Sequence, residues 1–159
     1  MNKIAIIFLQ FMILIIGILS LFILIRFPML EGRAVNLNLY EIYADPFIIY
    51  GYLSSIFYFK GLYQGLLLLR QISNDNLFSV SSVQIVKKIK YCSYYLGFLI
   101  IIGAIYIRFF NNSDEDPAGF LALSMITTMI FTTVATTALI FERSIQKAVK
   151  LKSDNELTI

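Results

Sequence analysis

The chain has no histidine among its 159 residues. That absence removes the commonest general base, proton shuttle and metal ligand together. A single cysteine, Cys92, excludes an intramolecular disulfide and any multi-cysteine metal site, and it reads as helix filler. Charge is also scarce: Asp, Glu, Lys and Arg make up 14% of the chain, against roughly 25% in a soluble domain. The serines and threonines have no histidine to activate them. No glycine loop that would cradle a phosphate is present, and no basic–aromatic surface for nucleic acid. The expectation is a protein that is not an enzyme, holds no cofactor or metal, and does not bind nucleic acid directly.

Apolar side chains fill the chain instead, at 58% of the residues and with a mean hydropathy of +0.78. A helix needs about 20 mostly apolar residues to cross roughly 30 Å of hydrocarbon. Four stretches qualify, at about 4–25, 47–69, 91–107 and 120–141, ending respectively at Arg26, Arg70, Arg108 and the pair Glu142 and Arg143. The first follows Lys3 and is too long for the ~7–15-residue apolar core of a signal peptide, so it reads as a retained span. The second and fourth open alike, on Asp45-Pro46 and Asp116-Pro117, with aspartate to cap free N–H groups and proline at the first helical position. The fold class expected is all-α integral membrane, one transmembrane domain of four helices in two hairpins.

Basic residues orient it. Lys3, Arg70, Lys87, Lys88, Lys90, Arg143, Lys147, Lys150 and Lys152 fall on one side, and only Arg26, Arg33 and Arg108 on the other. Short loops rich in lysine and arginine mark the cytoplasmic face, which places both termini inside. The outer segment 27–44 reads either as a short strand, from the alternation at 35–39, or as an interfacial piece with Tyr40 and Tyr43 at headgroup depth. In the inner loop 70–90, Ser79 can cap a short amphipathic helix ending at Lys90. Val83, Ile85, Val86 and Ile89 share one face of it, and Gln84, Lys87 and Lys88 lie opposite. Such a helix suits the inner leaflet or a partner. The tail 142–159 repeats basic residues at helical spacing.

Two residue sets are candidates for function. An ionisable group at membrane depth is costly and marks a functional hypothesis; Lys60 is such a group, about 15 Å above Arg70 at ~1.5 Å per residue. Gln64 lies one turn on and Gln10 at a similar depth, so the three form a candidate polar cluster. The alternative is a lysine that only faces the bundle. The second set, Lys87, Lys88, Lys90, Lys147, Lys150, Asp154 and Glu156, is a candidate docking face, with plain membrane anchoring as its alternative. Gly61 and Gly65, with Ser124, Thr128, Thr132 and Thr136, read as helix-packing seams.

Some of these residues carry a family resemblance. Tyr63-Gln64, Asn76-Leu77-Phe78-Ser79 and Ile89-Lys90-Tyr91-Cys92 resemble the YoaS-like bacterial four-span membrane proteins. So does the acidic run from Asp114 to Gly119, and most specifically the ending from Lys152 to Ile159. The resemblance runs from about Phe47 to the C-terminus and does not include Lys60. It implies a multi-pass protein of the bacterial inner membrane, of unassigned activity, with no binding residues to carry over. Such proteins are commonly encoded beside a small helix-turn-helix regulator, which suggests the membrane component of a regulatory pair. An immunity or resistance protein against a membrane-active peptide, or a small transporter, is the alternative. Apart from the bilayer and such a regulator, no partner or oligomeric state is legible.

Overall fold

The computed structural model describes residues 3–30, 38–110 and 117–156. The alternation at 35–37, the Asp116 cap, the acidic run 112–116 and the last three tail residues lie outside them. Among the described residues all regular structure is helical: α1 (Lys3–Leu30), α2 (Leu39–Tyr43), α3 (Pro46–Ser73), α4 (Val80–Phe110) and α5 (Ala118–Glu156). Tyr40, Ile42 and Tyr43, left open between strand and interfacial segment, lie on or beside the short helix α2, where Glu41 accepts from the Asn38 N–H at 3.1 Å.

Three of these helices, over Lys3–Met29, Val80–Phe109 and Ala118–Asp154, are long and apolar enough to cross a membrane. Helix α3, expected as the second span, has the length but is not among them. It carries Tyr50, Tyr52, Tyr58, Tyr63, Lys60 and Gln64, and these lower its apolarity. Three of the tyrosines point their hydroxyls inward onto neighbouring helices. Tyr50 donates to the Leu99 carbonyl of α4 at 2.6 Å, Tyr52 to the Leu24 carbonyl of α1 at 3.2 Å, and Tyr58 pairs with Ser20 of α1 at 2.9 Å. Helix α3 is thus the hub, packed between α1 and α4, with α5 against α4. The start of α3 follows the sequence signal: Pro46 stands first and the Asp45 carboxylate accepts from the Phe47 N–H at 2.7 Å.

The expected short helix before the third span is not a separate element. Ser79 does cap it, accepting from the Ser82 N–H at 3.2 Å, but the helix continues without a break into the span as α4, 31 residues long. The tail likewise continues α5 to 39 residues. At ~1.5 Å per residue both exceed the roughly 30 Å that a crossing requires. The apolar face of the added length is used inside the molecule: Val86, Ala138 and Ile145 are buried together, with Val83, Ile89, Leu77 and Val149 around them. That face therefore rests on α5, not on the inner leaflet.

Two glycines expected in one seam serve two. A side chain at Gly61 would meet Cys92 of α4, and one at Gly65 would meet Ile13 of α1. The hydroxyl stripe of α5 bonds along its own helix: Ser124 to Phe120, Thr132 to Thr128 and Thr136 to Thr132, each donating at 2.8 Å to the carbonyl one turn back.

Candidate functional site

The α3–α4 turn fixes where α4 begins. Asp75 takes a left-handed conformation (φ 53°) after the last turn of α3. Its N–H donates to the Ile72 carbonyl at 3.2 Å, and that of Asn76 to the Gln71 carbonyl at 2.9 Å. These bonds close the helix end in a Schellman motif. The buried Ser82 hydroxyl then reaches back to the Asn76 carbonyl at 3.1 Å, tying the new helix to the turn.

Higher up, Lys90 of α4 and Glu142 of α5 form an ion pair at 2.6 Å, with the two residues 9% and 6% exposed. The Lys90 ammonium also stands 4.9 Å from the ring centre of Tyr91. Lys90 was grouped with the docking lysines, and the structure removes it from that set: its charge is committed inside the hairpin. Glu142, read as no more than the stop of a span, is its partner. A signal was present in the spacing, since Lys90 follows Val86 by four residues and Glu142 precedes Ile145 by three, each on a buried stripe. Pair geometry this close, with both groups withdrawn from solvent, makes each charge the compensation for the other.

The polar cluster of Lys60, Gln64 and Gln10 is not assembled. Gly17 of α1 packs on Leu62 and Ile13 on Gly65, so Gln10 lies level with residues near Leu68, below Gln64. Gln64 is buried at 6% exposure, and its side-chain carbonyl oxygen is enclosed without a hydrogen-bond partner. Lys60 is exposed on the outside of α3 and does not face the bundle. The remaining docking candidates Lys87, Lys88, Lys147 and Lys150 are exposed, as are Arg143 and Asp154. The side chain of Glu156 lies outside the described residues.

A lateral cleft between α1 and α5 was not anticipated. It has a volume of ≈ 390 Å³ and is lined in part by Ser20, Leu24, Ser55, Tyr58, Thr127 and Phe131. Nothing in the linear sequence pairs α1 with α5 across such a gap.

A molecule of this kind, all helical where described and with three apolar helices of membrane-crossing length, belongs among membrane proteins. The family described as "Protein of unknown function (DUF2975)" matches residues 29–159, and the chain belongs to that family. It is 27% identical over 161 residues, covering all of both chains, to the uncharacterized membrane protein YoaS of Bacillus subtilis. No solved structure matches it.

Proposed function

We propose that the chain is a non-enzymatic four-span protein of the bacterial inner membrane, both termini cytoplasmic, that presents its projecting hairpin to a cytoplasmic partner, a transcription regulator. The placement of α3 supports the fourth span: a helix hydrogen-bonded lengthwise to two membrane-crossing neighbours crosses where they cross. The observation that carries the partner reading is the basic surface of the hairpin. Arg143, Lys147 and Lys150 are exposed on α5 at helical spacing. The buried contacts of Val86 and Ile145 hold these charges on a fixed scaffold. Phe78, Val80 and Leu151 are exposed toward its tip. Charges steer a partner and apolar contacts beside them give it specificity.

Pull-down from membranes with a tagged copy tests this. The wild type is expected to retain a cytoplasmic helix-turn-helix protein, and Phe78→Ser and Lys147→Glu each to lose it with membrane abundance unchanged. Recovery of no such protein, or equal recovery by both variants, rejects the docking reading. The lateral cleft favours a second reading, in which a membrane-active peptide or other apolar ligand is bound as in an immunity protein or small transporter. Growth protection against such a peptide that is lost on Ser55→Phe would favour it.

A further inference from the structure

Gly61 packs against Cys92 and α3 and α4 run antiparallel, so heights on the two helices can be compared from that contact. The exposed stripe of α3 reads Ile49, Leu53 and Ile56, then Lys60 and Tyr63. That of α4, followed from its outer end, reads Phe109, Ile105 and Phe98, then Tyr95, Tyr94 and Tyr91, then Lys88 and Lys87. Both pass from hydrocarbon side chains to tyrosine and lysine within about one turn of the same height. They also face the same way. Lys60 precedes Gly61 and Tyr91 precedes Cys92, each about 100° around its helix, and in antiparallel helices those offsets point to one side of the pair.

Tyrosine followed by lysine is the order of a membrane–water interface read from the hydrocarbon toward the cytoplasm. Lys60, Lys87 and Lys88 are exposed along that stretch. Among the described residues the carboxylate near that height is Glu142, which is committed to Lys90. Helix α1 adds an independent observation. With Gly17 on Leu62, its exposed apolar surface from Leu14 down to Ile4 lies below the level of Lys60. Hydrocarbon on the α1 side therefore reaches deeper than on the α3–α4 side, and headgroups must rise to meet Lys60. Lys60 and the pair Lys87 and Lys88 stand roughly 8 Å apart along the helices, a distance that flexible lysine side chains can span to one phosphate.

We propose that Lys60, Lys87 and Lys88, with Tyr63 and Tyr91 beside them, bind the phosphate headgroup of an anionic inner-leaflet phospholipid. The site rests on the cytoplasmic orientation of the hairpin proposed above. It is tested on the full chain in nanodiscs of phosphatidylcholine containing a minority of phosphatidylglycerol, with retained lipid counted by native mass spectrometry. Lys60→Gln is expected to lower retained phosphatidylglycerol roughly fivefold, the effect of one lysine near a membrane surface. Lys60→Arg keeps it, and Lys152→Gln, an equal loss of charge away from the patch, leaves it unchanged. Equal retention by wild type and Lys60→Gln overturns the site. So does displacement of the lipid by inorganic phosphate, or a lipid-free dimer in which the patch is covered by a second copy. An error in orientation shows separately, as labelling of an Asn74→Cys variant from outside the cell while lipid retention persists.

Discussion

At the scale of single residues, the ion pair of Lys90 and Glu142 makes the hairpin sensitive to loss of either charge. Both charges are withdrawn from solvent and meet at 2.6 Å, so removing one leaves the other uncompensated. Breaking a buried pair this way costs about 3–5 kcal/mol, more than its formation contributes. Glu142→Ala should therefore lower the thermal unfolding midpoint of the purified protein sharply, and the exchange Lys90→Glu with Glu142→Lys should recover much of the loss. An unchanged midpoint for Glu142→Ala would show the pair to be loose in solution. Nearby Lys60 is exposed, and its replacement by leucine should leave the folded protein intact, so the two lysines separate by context and not by chemistry. The sequence puts Lys60 at membrane depth and Lys90 at the end of a loop, whereas the deciding quantity is which side of its helix each lysine occupies.

At the scale of elements, the turn between α3 and α4 closes one helix and ties the start of the next to it. Asp75 adopts a left-handed backbone at the position where glycine is ordinarily favoured. Asp75→Gly removes the steric cost of a Cβ there and should raise stability by a few tenths to about 1 kcal/mol, read as a higher midpoint in the same unfolding assay. A fall in the midpoint would mean that the aspartate side chain contributes more than its backbone costs. The helix starts were legible from the sequence, because a cap is a local arrangement: Asp45 with Pro46, and Ser79, act where the spacing put them. Helix length was less legible. An amphipathic stretch reads alike whether its apolar face lies on lipid or on another helix, and contact with Ile145 from a distant part of the chain made it one continuous rod.

At the scale of the whole molecule, the nine-to-three division of basic residues and the packing of α3 between α1 and α4 make one expectation testable. In a Cys92→Ser background, a cysteine at Asn38 should react with an impermeant reagent added outside the cell. Cysteines at Asn74 and Ser153 should react only after permeabilisation. External labelling of Ser153→Cys would reverse the orientation and with it the cytoplasmic role of the hairpin.

Composition and periodicity by themselves determined the class of this protein: a helical membrane chain, without histidine, whose long apolar runs leave most of it no stable place in water. Those properties are sums over local sequence, and the solvent reads them before any tertiary contact forms. Tertiary structure alone decided which polar groups face each other. It paired Lys90 with Glu142 across 52 positions, turned Lys60 outward, separated Gln10 from Gln64, and divided Gly61 and Gly65 between two neighbours. Each of those outcomes depends on the rotation and vertical register of one helix against another. Register is fixed by interlocking side chains distant in the chain, so no window of sequence contains it.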